Sequence, residues 1–134
     1  MEATEKSSSR RILVWGVPII LAHFLVVVWH LLLLLRVQPD TPRFLPPLLI
    51  VINLFPVAGL LFFVKRFHKL AGCMITIPLA VALVMGVYAH FLTAGADNVF
   101  RMSPGGLRLP YQTSALLLVV LEALGSWLGV RMFR

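Results

Sequence analysis

The amino-acid sequence predicts an all-α integral membrane protein, a single domain over residues 1–134 built as a bundle of four transmembrane helices. Apolar residues make up 60% of the chain and charged residues 13%, whereas a soluble domain is about 45–50% apolar and about 25% charged. The apolar residues gather in four stretches, each long enough to cross a bilayer as a helix. These stretches lack the alternation of apolar and polar residues that is typical of a barrel strand.

The first predicted span covers residues 12–35, after a short polar tail at residues 1–9. It is longer than the apolar core of a cleavable signal peptide, and no small-residue cleavage site follows it, so we expect it to be retained. The second span covers residues 45–64. Pro46 and Pro47 lie in its first turn, where a missing backbone amide costs little.

The third predicted span covers residues 70–92 and follows a short basic segment. A connection this short makes the second and third helices antiparallel neighbours. The fourth span covers residues 114–130, and Thr113 or Ser114 can cap its first turn. A long outer loop, residues 94–112, precedes it and is rich in glycine and proline.

The distribution of basic residues predicts the orientation of the bundle. Of the twelve Lys and Arg residues, eight flank the helix ends on the side of the two termini and four flank the opposite ends. Because basic residues are enriched on the cytoplasmic side, we expect both termini to be cytoplasmic, and we expect a bacterial inner membrane. The eight are Lys6, Arg10, Arg11, Lys65, Arg66, Lys69, Arg131 and Arg134, and the four are Arg36, Arg43, Arg101 and Arg108. They form no patch or stripe, so the expected partner is the lipid bilayer and not a nucleic acid.

Small residues at helical spacing predict where the spans pack closely. Gly125 and Gly129 of the fourth span are four residues apart, a spacing that allows two membrane helices to approach. Ala82 and Gly86 belong to a ridge of the third span that recurs every four residues over 78–90. We predict that these four residues are helix-packing positions.

One acidic residue, Glu122, lies inside the predicted spans. It is about 12 Å from the outer end of its span, at a depth similar to that of Asn53 and close to that of His23. A charge at the bilayer centre costs about 2.5–3.5 kcal/mol, so such a residue faces the bundle interior with a partner. The sequence therefore predicts an intramembrane polar cluster of His23, Asn53 and Glu122. This cluster either binds a proton or cation, or is hydrogen-bonded packing.

Two histidines form a second polar layer nearer the outer surface. His30 of the first span and His90 of the third are predicted at similar depth, which suits the ligation of one b-type haem. With Asp97 or Glu122 they could also bind a transition metal, since imidazole and carboxylate suit several divalent ions. The remaining alternative is a pair of interfacial histidines with hydrated tips. The single cysteine, Cys73, excludes an internal disulfide and a thiolate zinc cluster.

Three classes of function remain open. The expected one is a non-enzymatic packing or accessory subunit of a larger membrane complex or homo-oligomer, which the packing glycines favour. The second is a proton- or cation-coupled small transporter that uses Glu122. The third is a haem- or quinone-associated membrane subunit that uses His30 and His90. The sequence shows no pairing of a nucleophile with a base, so we do not expect an enzyme, and no cofactor is required by the pattern.

Overall fold

A computed structural model of the chain confirms the all-helical architecture. It describes residues 2–38, 43, 45–95, 98–102 and 105–133. The helices of this described part are α1 (Glu2–Val37), α2 (Leu45–Val64), α3 (His68–Val87) and α4 (Arg108–Arg131), and a π-helical turn, Tyr88–Leu92, continues α3. Each of the four α-helices contains a segment long and apolar enough to cross a membrane.

Helix α1 begins ten residues before the predicted span, at Glu2. The polar tail that we predicted over residues 1–9 is therefore mostly helical. Glu, Ala and Lys favour the helix, and residues 1–9 contain no glycine or proline that would stop it.

Helix α4 also begins earlier than predicted, at Arg108, so neither Thr113 nor Ser114 caps it. Pro110 lies in its first turn, where a missing backbone amide is tolerated. The residue before the helix, Leu107, makes no side-chain capping hydrogen bond. The predicted loop over 94–112 is shorter than expected because its last residues belong to this helix.

The helices follow one another around the bundle. Helix α4 packs against α3 and α1, and α2 packs against α3 and α1. A three-residue turn joins α2 to α3, and Arg66 adopts a positive φ of 67° within it. The predicted antiparallel pairing of these two helices is therefore confirmed. We call this end of the bundle the turn end, and the opposite end, which carries residues 93–107, the loop end.

The half of the bundle at the turn end is apolar and closely packed. A Cβ atom built on Gly129 would lie 2.9 Å from the backbone nitrogen of Thr76 and 3.1 Å from the carbonyl oxygen of Gly72. A Cβ atom on Gly125 would overlap the side chain of Leu79. Both glycines therefore pack closely, as predicted, against α3 of the same chain. The buried core around them consists of Ile20, Leu60, Phe63, Ala71, Ile75, Leu79, Leu128 and Met132.

The packing ridge predicted on α3 is only partly correct. The buried residues of this helix are Ala71, Gly72, Ile75 and Leu79, whereas Ala82 and Gly86 are half-buried. The buried residues Gly72, Ile75 and Leu79 are separated by steps of three and four, as in other bundles, and Ala82 and Gly86 continue this alternation. They therefore lie on the same side of α3 but nearer the loop end, where a Cβ atom on Gly86 would meet only Glu122 and His90 within 4 Å among the described residues.

Two Gly→Ala substitutions test this packing. Gly129→Ala should lower the free energy of unfolding by about 1–3 kcal/mol, because the new methyl group forces two backbones apart. Gly86→Ala is the matched control, since its Cβ would meet its nearest neighbour at 3.7 Å. Replacing a helical glycine should then leave stability equal or raise it by about 0.5–1 kcal/mol. The measurement is unfolding in detergent followed by circular dichroism. Equal effects of the two substitutions would contradict the proposed contact.

Candidate functional site

His23 of α1 and Glu122 of α4 form a buried pair in the core. Nε2 of His23 lies 3.7 Å from Oε1 of Glu122, and the two side chains are 1% and 7% exposed. His23 follows the buried Ile20 by one turn, and the seven-residue spacing of Gly16, His23 and His30 places these three buried residues on one side of α1. The structure therefore brings together two of the three residues of the predicted polar cluster.

The pair leaves several of its polar atoms without hydrogen bonds. Both ring nitrogens of His23 and Oε2 of Glu122 are buried and have no hydrogen-bond partner among the residues that the structure describes. An unsatisfied buried polar group costs about 1–3 kcal/mol. A pair that served only to hold two helices together would be expected to satisfy these atoms. Oε2 of Glu122 is available to a proton or a small cation, and the one ring nitrogen of His23 that carries a lone pair is available to a proton.

Gly86 of α3 faces the unpartnered oxygen of Glu122. A Cβ atom built on Gly86 would lie 3.7 Å from Oε2 of Glu122 and 4.0 Å from Cδ2 of His90. A longer side chain at this position would occupy the space beside the carboxylate. Gly86, which the sequence suggested as a packing residue, thus leaves room next to Glu122.

Asn53, the third member of the predicted cluster, is buried but bonded elsewhere. Its Nδ2 donates a hydrogen bond of 2.8 Å to the carbonyl oxygen of Leu49, one turn earlier in α2. Helix α2 packs against α1 and α3, whereas Glu122 belongs to α4, which packs against the same two helices. The sequence predicted similar depths for Asn53 and Glu122, but their helices are not neighbours in the bundle.

A second polar layer lies toward the loop end and contains both predicted histidines. The rings of His30 and His90 meet edge to face, with 4.8 Å between their centroids. Tyr111 lies 4.7 Å from His30 and 5.9 Å from His90, again between ring centroids. Tyr111 and Ser114 were not predicted as members of this layer, because Tyr111 lay in the predicted loop and Ser114 was interpreted as a helix cap. Glu122, Leu118 and Ala115 follow one another at steps of three and four on the buried side of α4. Continuing this spacing toward the N-terminal end of the helix leads to Ser114 and Tyr111.

The hydroxyl group of Ser114 determines the tautomer of His30. Its Oγ lies 2.8 Å from the carbonyl oxygen of Tyr111 and 2.8 Å from Nδ1 of His30. Because a carbonyl oxygen only accepts, the hydroxyl donates to Tyr111 and accepts from Nδ1–H of His30. Nε2 of His30 then carries the lone pair, and it is buried without a hydrogen-bond partner in the described part of the chain. In a catalytic Ser–His pair the hydroxyl would donate to the imidazole instead.

The contact between His30 and His90 does not fit a haem held between them. Axial ligands lie on opposite faces of the macrocycle, whereas these two rings touch each other directly. No group of three or more His, Cys, Asp or Glu side chains that could hold a metal occurs in the described ranges. Asp97, which the sequence suggested as a further metal ligand, lies outside the described residues.

Residues after the π-helical turn fold back over the loop end. The turn has the wide hydrogen bond of a π-helix, from the amide of Thr93 to the carbonyl oxygen of Tyr88 at 2.9 Å, and such turns are frequent at functional sites. The amide of Val99 then donates to the carbonyl oxygen of His90 at 2.9 Å, and Nδ2 of Asn98 donates to that of Thr93 at 2.6 Å. Asn98 and Val99 are buried, so this segment covers the histidine layer.

Comparison with known protein families, with curated proteins and with solved structures gave no match to this chain.

Two serine substitutions test the hydrogen bonds of the second layer. Ser114→Ala should lower the free energy of unfolding by about 1–3 kcal/mol, because Nδ1–H of His30 loses its acceptor in a buried site. Ser126→Ala is the matched control on the same helix. The Oγ of Ser126 is buried without a hydrogen-bond partner in the described residues, so its removal should cost nothing. Unfolding in detergent measures both, and equal losses would contradict the role of Ser114.

Proposed function

We propose that this chain is a small, non-enzymatic, proton-coupled transporter in which Glu122 binds a proton and a small cation in alternation. The observation that carries the proposal is the buried His23–Glu122 pair with its unpartnered polar atoms. Ionisable residues within membrane spans are costly, and in membrane proteins they mark ion pathways and proton relays.

Because His23 belongs to α1 and Glu122 to α4, the protonation state of the pair changes how strongly these two helices attract each other. When His23 is protonated and Glu122 is ionised, opposite charges 3.7 Å apart attract in a low-dielectric core. Protonation of Glu122, or neutralisation of His23, removes this attraction between α1 and α4. A bound cation beside Oε2 competes with the imidazolium for the same carboxylate. Proton binding and cation binding therefore oppose each other, as exchange requires.

The proposal includes the orientation that the basic residues predict, with both termini in the cytoplasm of a bacterium and the bundle in its inner membrane. Lys65, Arg66, Lys69 and Arg131 are all exposed. They belong to the same end of the bundle, because the buried Met132 packs in the turn-end core. A cluster of exposed cations at one end supports contact with anionic lipid headgroups there.

The function that we first expected, a packing or accessory subunit, has less structural support. Its main reason was the pair Gly125 and Gly129, and both contact α3 of the same chain. These glycines are therefore not available to bind a second copy or a partner. The accessory-subunit and haem- or quinone-associated functions stay predictions from the sequence.

One purification tests both remaining alternatives. The protein is isolated in mild detergent from haem-replete cells, and its absorption spectrum and subunit content are measured. A transporter that works alone or as a homo-oligomer should be colourless and free of other subunits. A Soret band that is lost in His30→Ala would support the haem alternative, and a stoichiometric second polypeptide would support the accessory subunit.

Proton flux tests the proposed function directly. Proteoliposomes with an acidic interior and a pH-sensitive dye are diluted into NaCl, KCl or choline chloride. We expect cation-dependent proton efflux from the wild type, and Glu122→Gln should reduce it to the level of protein-free vesicles. The replacement keeps the shape of the side chain but removes the group that ionises.

Asn53→Ala is the control for this experiment, since Asn53 is a buried polar residue whose amide nitrogen donates to Leu49 of its own helix. It should keep the flux of the wild type. The proposal fails if the wild type gives no efflux above protein-free vesicles with any of the three salts. It also fails if Glu122→Gln retains full efflux.

A further inference from the structure

The core around Glu122 is closed on the side of the turn end. Gly125, one turn from Glu122 toward that end, has the side chain of Leu79 directly against it. A Cβ atom on Gly16 would lie only 2.8 Å from Cδ2 of Leu128. Apolar residues packed at this density leave little space for water or an ion.

The core is more open at one point toward the loop end, beside Gly86, although a buried apolar cluster around Leu34, Val99 and Ala115 lies at that end as well. The point where Gly86 would carry a Cβ atom lies 3.7 Å from Oε2 of Glu122 and 4.0 Å from Cδ2 of His90. No other atom of the described residues lies within 4 Å of it, apart from the neighbours and helix backbone of Gly86 itself. Two polar side chains thus border one small space, and one of them presents an unpartnered oxygen to it.

His90 connects this space to the surface of the bundle. Glu122, His23 and His30 are all buried, whereas His90 is partly exposed. Its ring also contacts that of His30, whose Nε2 carries a buried lone pair. A histidine accepts a proton on one ring nitrogen and releases one from the other, so it can pass a proton without a net change in its own charge.

We infer that Gly86 and His90 form the access path to Glu122, and that protons and small cations reach the carboxylate from the side of the bundle on which His90 is partly exposed. The identity of the ions that pass along this path rests on the proposed function, whereas the existence of the path does not. Gly86 provides the space, His90 is the outer proton-binding group, and the packed core beyond Gly125 closes the other side. The ligand is an ion or molecule of about the size of water.

Thiol accessibility tests the path without any transport assay. In a Cys73→Ala background, Gly86→Cys and Leu79→Cys place single thiols seven residues apart on the same side of α3. Each protein in lipid nanodiscs is treated with Ag⁺, then unfolded, and the thiols that remain are counted with a maleimide. We expect Cys at position 86 to react at least about tenfold faster than Cys at position 79, since exposure controls thiol reactivity. Equal rates at the two positions would overturn the inference.

Filling the space should stop transport while the pair itself stays intact. Gly86→Leu should reduce the cation-dependent proton efflux to that of Glu122→Gln, whereas Gly86→Ala should retain part of it, because a single methyl group fits at ordinary contact distance. Ala80→Leu adds the same bulk at another half-buried position of α3 and should keep full efflux. Circular dichroism and size-exclusion chromatography show whether each variant is folded.

The two experiments separate the inference from the proposed function. If the wild type gives no efflux but position 86 is labelled much faster than position 79, the proposed function fails and the access path stands. If the wild type transports and a folded Gly86→Leu variant transports equally well, the path through Gly86 is wrong and the proposed function stands.

Discussion

The close approach of α3 and α4 through glycine determines where the polar groups of the core lie. Gly129 and Gly72 bring the two backbones together, with a Cβ on either glycine reaching within 3.1 Å of the carbonyl oxygen of the other. Apolar surfaces gain little by leaving lipid for one another, so close contacts of this kind largely hold membrane helices together. Glu122 lies two turns from Gly129 along α4, and this contact therefore sets its position between α3 and α1.

The two polar layers of the core differ in how many of their polar atoms are hydrogen-bonded. In the layer of His30, a serine hydroxyl and a backbone carbonyl satisfy Nδ1–H in a chain of two hydrogen bonds, and Nε2 is left without a partner in the described residues. In the layer of His23 and Glu122, both ring nitrogens and one carboxylate oxygen lack a partner in the described residues. Only this second layer combines unpartnered atoms with a pair of groups that can carry opposite charges. A buried ionisable group that is kept without hydrogen bonds, despite the free energy that this costs, is a candidate for binding and releasing a proton.

The two ends of the bundle differ in their polar content. The turn end is filled by apolar side chains and close glycine contacts. The loop end also has a buried apolar cluster, which includes Leu34, Val99 and Ala115, but the histidine layer and the half-buried Gly86 lie on that side as well. A transporter needs a binding group that is closed toward one side at a time, and this core is closed toward the turn end.

The sequence by itself determined the four spans, the inward faces of α1 and α4, and the pairing of α2 with α3. Its apolar stretches are long enough to cross a bilayer only as helices, because the backbone must satisfy its own hydrogen bonds in lipid. The seven-residue spacing of Gly16, His23 and His30 correctly selected one face of α1, since helical periodicity is a local property. Periodicity does not say which neighbour a face meets. Only the tertiary structure decided that Glu122 lies beside His23 and Gly86, while Asn53 bonds to its own helix. The neighbours of each residue depend on the order of the helices in the bundle and on how closely the glycines allow the helices to approach.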